Sequence, residues 1–257
     1  MTSVPVSVCM ISGAEAHRIS RALASVSGWA AELNVVLNEE VADGTEEICR
    51  QYGARVFREP WRGHIAQANS AAAKGTQPWI LGLDADEVIT PALKQEIQAA
   101  LAAEAGSPRH AGFSMPRMTF YAGRWIRHGD WYPDRKTRLW RHGQGGWHGE
   151  DPHNYVLVEG TVGRLKGDIQ HYSYEDLRHH LTKIQFYSDI FVRLSRKAGR
   201  KAPLTDLVVR PPWRFFRGYV LRLGFLDGWQ GFVIAWMTAL LSFLKYAKLR
   251  EACLKDK

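Results

Sequence analysis

Trp79-Ile80-Leu81-Gly82-Leu83-Asp84-Ala85-Asp86-Glu87 runs from apolar and small residues straight into acid. The apolar part is too short for a typical helix and reads as a strand buried on both faces, with Asp84 standing where the strand ends. Carboxylates at i and i+2 leaving such a strand project to the same side, at the edge of the sheet where open α/β folds bind ligands. Hard oxygen donors there suit Mg²⁺ or Mn²⁺, which neutralise the charge that builds on a departing diphosphate. The alternative, that Asp84–Glu87 merely cap the next helix, competes with Thr90-Pro91, which already supplies an N-cap and a proline at the first helical position.

Working outward, the first hundred or so residues alternate short apolar runs with helical patterns, as βα units of a mostly parallel sheet do. Val6–Ile11 reads as the first strand rather than a secretory signal, since no basic segment precedes it. A helix over residues 14–26 follows with Ile19, Leu23 and Val26 on one face, and Leu33–Leu37 and Ala54–Phe57 read as the next strands. Asp43-Gly44-Thr45 opens a second helix, and His64–Lys74 forms a third. At least three strands therefore precede the acidic motif. This weighs against a phosphatase of the haloacid-dehalogenase type, where Asp-x-Asp follows the first strand. From about residue 106 to 170 the chain is mixed and Gly-, Trp- and Arg-rich, with strands such as Gly112–Met115 and Tyr155–Val158. Helical spacing resumes beyond Tyr174.

The 257 residues carry a net charge of +8, unevenly placed: residues 193–257 hold 14 Lys/Arg against 4 Asp/Glu, and residues 1–192 hold 20 against 22. Such a tail meets an anionic surface, either nucleic acid or phospholipid headgroups. Trp229, Phe232, Val233, Trp236, Met237, Leu240, Leu241 and Leu244 make an apolar helical stripe. The uncharged run Gln230–Leu244 is 15 residues, short of the ~20 that span a bilayer. Ahead of it, Arg210, Arg214, Arg217 and Arg222 alternate with Trp213, Phe215, Phe216 and Tyr219, a mixture suited to headgroup depth. A nucleic-acid binder would group its cations with polar residues along a groove, so membrane contact is expected and nucleic acid is not. Packing on the catalytic core or on a second subunit is the other reading of this stripe. Cys9, Cys49 and Cys253 lack disulfide or zinc spacing and fit a reducing cytoplasm.

Several further segments carry a resemblance: Gln67-Ala68-Asn69, Gly123-Arg124-Trp125-Ile126-Arg127-His128, Trp131-Tyr132-Pro133-Asp134, Arg138-Leu139-Trp140, His171-Tyr172-Ser173 and Gly224-Phe225-Leu226-Asp227-Gly228-Trp229. With Asp43-Gly44-Thr45 and the acidic motif, in this order, the chain resembles the inverting family 2 glycosyltransferases, and among them the lipopolysaccharide core β-glucosyltransferases. The resemblance covers nearly the whole chain. It implies a GT-A (Rossmann-like) domain over residues 1–190, with a nucleotide-sugar half at 1–105 and an acceptor half at 106–190. A basic amphipathic helical segment follows at 191–257. The resemblance also implies that Ser12 and Glu15 lie near base and ribose, and that Asn38 through Asp43 form the second-strand loop, where relatives carry a leading Asp. By the same resemblance Gln67 and Asn69 flank the nucleotide, and Asp84 and Ala85 complete the donor site. Asp86 takes the part of principal metal ligand, with Asp84 on the ribose or a water and His171 as a further ligand.

An inverting transferase needs a carboxylate to take the acceptor hydroxyl's proton. Glu150-Asp151 resembles the family's Glu-Asp pair, Asp151 ahead of Glu150 as the base, and His153 matches a recurrent acceptor-orienting His. A plain surface turn is the competing reading of Gly-Glu-Asp-Pro. Arg124, Arg127 and Arg138, interleaved with Trp125 and Trp131, read as an acceptor- or diphosphate-facing wall, because rings stack on sugars and guanidinium forks bind phosphate. The expected activity is transfer of a hexose, glucose on the resemblance, from a UDP-sugar to a lipid-linked saccharide in cell-envelope biosynthesis. The expected location is peripheral, on the cytoplasmic face of the inner membrane.

Overall fold

The computed structural model describes every residue except 1, 2, 151, 152, 202, 256 and 257, and leaves aside the side chain of His153. It divides into two compact units, residues 1–117 with 134–171, and residues 118–133 with 172–257.

The first unit starts as the apolar periodicity predicts. β1 (Val4–Ser12), α1 (Ile19–Val26), β2 (Ala30–Asn38), α2 (Thr45–Gln51), β3 (Arg55–Glu59), α3 (His64–Ala73) and β4 (Trp79–Gly82) alternate. β5 (Glu87–Ile89) and α4 (Pro91–Gly106) follow, then β6 (Gly112–Tyr121). The remaining strands are β7 (Arg124–Trp125), β8 (Asp134–Arg141), β9 (Gly145–Glu150), β10 (His153–Val158), β11 (Val162–Arg164) and β12 (Ile169–His171). The sheet order is β3-β2-β1-β4-β8-β6-β12-β5. Its first four strands are parallel, and β8 adds antiparallel to β4. The fold class is thus α/β, with the parallel part built from the first eighty or so residues.

Helices cover the sheet because their apolar stripes demand it. Ile19, Ala22, Leu23 and Val26 of α1 are buried, as are Leu93, Ile97 and Leu101 of α4, in one core with Val6, Val8, Leu81 and Leu83. Thr90 caps α4 as its position predicts, accepting from the Leu93 backbone N–H at 3.2 Å, with Pro91 behind it. α1 starts at Ile19 rather than at Ala14, and the loop ahead of it belongs to the site.

Gly82, just before the acidic motif, is required by packing: a Cβ there would lie 2.9 Å from the Trp147 ring and 3.2 Å from Trp140. Gly82→Ala is expected to destabilise the protein by roughly 1–3 kcal/mol, as overpacking does. Urea unfolding checks this, and an unchanged midpoint would mean that the two rings yield without cost.

In the second unit, Phe120 and Tyr121 of β6 pair with β7 across a tight turn, Ala122-Gly123, with both φ angles positive. α5 (Leu177–Lys197) is capped by Asp176, which accepts from the His179 N–H at 2.7 Å. α6 (Leu204–Phe216) contains Pro211-Pro212 and passes through a π-turn (Arg217–Leu221) and a 3-10 turn (Gly224–Asp227) into α7 (Gly228–Lys255). Ring contacts fill this unit. Trp131 stacks on Tyr174 with centroids 4.9 Å apart, and the Tyr121 hydroxyl meets His180 Nδ1 at 2.9 Å.

Candidate active site

Asp84, Ala85 and Asp86 form the turn between β4 and β5, at the carboxyl edge of the parallel strands. Reciprocal hydrogen bonds hold this turn: the Asp84 N–H donates to the Glu87 carboxylate at 3.2 Å, and the Glu87 N–H to the Asp84 carbonyl at 3.0 Å. Glu87 is fully buried, and two arginines make that tolerable. Arg138 donates to it at 3.0 Å and Arg117 at 3.2 Å, while Arg117 also holds Asp134 at 2.7 Å. Burial pushes the Glu87 carboxyl up, but the charges of Arg138 and Arg117 outweigh it and carry the pKa down to about 2. Arg138 also donates to Asp84 at 2.6 Å and lies over the Trp147 ring, 4.7 Å from its centroid. It therefore stands beneath the acidic turn.

Asp86 has other partners. His171 Nε2 lies 3.4 Å from its Oδ2, and an Arg18 nitrogen lies 3.9 Å away. Burial raises the Asp86 carboxyl, and the His171 hydrogen bond and charge more than reverse this, so its pKa lies below the ordinary value. The antiparallel register of β12 on β5 sets His171 opposite Glu87, and so within reach of the residue before it. Arg18 precedes α1 and is paired with Glu15 at 2.7 Å.

The loops after β1 and β2 are tied to each other. Asp43 accepts from the Ala16 N–H at 3.1 Å and from the Thr45 N–H at 3.1 Å, and the Thr45 hydroxyl accepts from the Glu15 N–H at 2.9 Å. Gly44, at φ 90°, lets the chain turn into α2 between them. Ser12 is buried at the end of β1, donating to the Gly13 carbonyl, and Asn38 closes β2 with its side chain accepting from the Glu40 N–H. On α3 the two expected nucleotide neighbours differ. The Asn69 amide engages both backbone groups of Trp147, at 2.9 and 2.8 Å, and so fastens β9 to α3. Gln67 is fully buried, with neither amide atom hydrogen-bonded.

Glu150 is exposed at the end of β9, whereas Asp151 lies outside the described residues, as does the side chain of His153. The expected arginine–tryptophan wall is divided. Arg138 belongs to the first unit, under Asp84, while Arg124, Trp125, Arg127 and Trp131 belong to the second. There Asp227, buried, accepts from the Arg127 and His128 N–H groups at 3.1 and 2.8 Å. Arg124 donates to the Leu226 carbonyl at 3.0 Å, and its charge lies 3.8 Å from Asp227. Trp125 packs on Phe120 and Tyr172. Arg18 and Arg117 have no distinguishing sequence pattern, because their relation to the acidic turn arises only from the β1–β4 and β6–β8 pairings.

An α/β sheet of this order, with an acidic turn at the carboxyl edge of its fourth strand, is the framework of a GT-A glycosyltransferase. The chain belongs to glycosyl transferase family 2, whose sequence profile matches residues 7–157. It is 29% identical to an uncharacterized glycosyltransferase of Rickettsia felis, covering 98% of this chain and 92% of that one. It is 27% identical to the lipopolysaccharide core biosynthesis glycosyltransferase LpsC of Rhizobium meliloti, covering 84% and 82%. Among solved structures, a mannosyltransferase from Pyrobaculum calidifontis in complex with GDP-Man and Mn²⁺ superposes with a TM-score of 0.52 at 16% identity, over 99% of this chain and 79% of that one. Its likeness bears on the fold alone.

Proposed function

We propose that the protein is a metal-dependent inverting hexosyltransferase that moves a sugar from a UDP-hexose to a lipid-linked saccharide of the lipopolysaccharide core type. The observation that carries this is the Asp86–His171 pair, with Arg18 beside it, at the carboxyl edge of the parallel strands. Among the described residues no three His, Cys, Asp or Glu side chains form a metal-holding group. Two protein donors nonetheless fit the ion in question. Mg²⁺ and its like are commonly held by one or two carboxylates, with phosphate oxygens and water completing the shell. His171 Nδ1 is buried without a partner, and the ring turns Nε2 toward Asp86. Asp86 and His171 would hold the ion, which would supply charge neutralisation for the departing diphosphate. Asp84, already bonded to Arg138, serves the ribose or a water.

The chain's own residues supply the rest. Arg18 offers a guanidinium to the diphosphate. Ser12, Glu15, Asn38, Asp43, Gln67 and Ala85 shape the floor beneath the nucleotide. Asp151, with Glu150 beside it, accepts the proton as the acceptor oxygen bonds to the anomeric carbon and the bond to the diphosphate breaks on the opposite face. His153 orients that acceptor. The LpsC relative supports a core-saccharide acceptor, and the apolar C-terminal helix supports work at the cytoplasmic face of the inner membrane.

The test is calorimetric titration of UDP-hexoses with Mn²⁺ and with EDTA. We expect binding that needs the ion, and loss of about tenfold or more in affinity for Asp86→Asn. Binding indifferent both to EDTA and to Asp86 would overturn the metal assignment.

A further inference from the structure

The second unit ends in a helical hairpin whose outer side is unusually apolar. α6 and α7 face each other through Phe215, which meets Phe232 and Trp236 at 5.8 and 6.0 Å, and through Arg210 over the Tyr246 ring. Outside this seam, Trp213, Phe216, Phe225, Leu226 and Trp229 are exposed, Trp229 by 62%, and Trp236, at the seam's edge, is itself 60% exposed. A soluble surface rarely gathers so many large apolar side chains in one place. Arg210, Arg214 and Arg222 are exposed among them.

The stretch Gly224–Lys255 is long and apolar enough to cross a membrane, but its C-terminal part is fastened to protein. Tyr246 packs on Phe191 of α5, Lys248 binds Asp189 at 2.7 Å, and Lys245 lies over Phe191. The rest of the helix, residues 228–244, measures about 26 Å, less than the ~30 Å hydrocarbon core, and Ile234 within it is buried against Tyr121 and Ile126. The partner helix α6 carries Arg210 and Arg214 alongside it, which a spanning hairpin would have to bury.

We propose that the α6–α7 hairpin beds in the plane of one leaflet, its exposed apolar tip residues Leu223, Phe225, Leu226 and Trp229 and the outer tryptophans among the upper acyl chains, and Arg214 and Arg222 on anionic headgroups. The occupant of this face is an anionic lipid surface. The inference deepens the membrane part of the function proposed above and rests on it, while donor binding can be measured apart from it.

The test is flotation of the full chain with vesicles of phosphatidylcholine alone and of phosphatidylcholine mixed with phosphatidylglycerol. Binding to the mixed vesicles is expected, weakening as salt rises. F225S/L226S/W229S should lower it on the order of 100-fold, and R214Q/R222Q about tenfold on the mixed vesicles only. Donor affinity in detergent, measured in parallel, should not change in either variant, so a donor-site failure is read separately. A nitroxide on F225C should be reduced by an impermeant reagent added outside. Protection of that label until the lumen is opened would mean a spanning helix and overturn the proposal. Equal binding to both vesicle types would do the same, as would absence of binding with self-association in which a second copy covers the face.

Discussion

Glu87→Ala is expected to destabilise the protein by about 3–5 kcal/mol, the usual cost of removing one partner from a buried ion pair. The carboxylate is fully buried, and it is the group that Arg138 and Arg117 share; without it Arg138, itself almost inaccessible, keeps Asp84 as its one carboxylate partner among the described residues. Urea unfolding measures the loss, and Glu87→Gln should lose less, because its amide oxygen still accepts from a guanidinium. The Glu87 carboxyl titrates lower in the folded protein, at about 2 against an ordinary 4.5. Its contribution is therefore complete above the ordinary value and fades as pH falls toward 2. In EDTA, the acid limb of the stability curve should be shallower in Glu87→Ala. A variant as stable as the parent would show that the arginines do not depend on this anion.

Asp151→Asn is expected to lower kcat by roughly 10²- to 10⁴-fold with donor affinity unchanged, since a general base contributes in that range and acts only as the acceptor attacks. Glu150→Gln, on an exposed strand end, should cost far less. Release of UDP from the donor in the presence of a core-saccharide acceptor gives the rate, and calorimetry gives the affinity. If Asp151→Asn turns over normally while Glu150→Gln does not, the two roles are exchanged. If both keep full activity, the Glu-Asp pair is a surface turn.

Asp151 and Glu87 are not equally legible in the sequence. Asp151 is proposed on the resemblance of the Glu150-Asp151 pair alone, and a surface turn is its competing reading. Glu87 matters through two arginines 30 and 51 residues away, brought beneath the acidic turn by β6 and β8. Arg138 is conspicuous in Arg138-Leu139-Trp140, but not as the residue under Asp84. Asn69 is conspicuous too, yet its amide closes on the Trp147 backbone, 78 residues away, a pairing that no local spacing encodes.

Local chemistry is enough for the parallel βα units, the Thr90-Pro91 helix start, the Asp43-Gly44-Thr45 turn and the position of Asp84-Ala85-Asp86 at a strand end. Each depends on side-chain periodicity or on backbone preferences within a few residues. Tertiary structure alone decided that Arg18 and Arg117 join the acidic turn, and the β5–β12 register is what sets His171, expected as a co-ligand of Asp86 on the resemblance, beside that carboxylate. It also decided that, of the C-terminal apolar stripe, Trp229, Phe232 and Trp236 are exposed while Val233, Met237, Leu240, Leu241 and Leu244 are partly covered. Such relations arise from strand pairing and helix packing between distant segments, and a linear pattern holds no record of which distant segments meet.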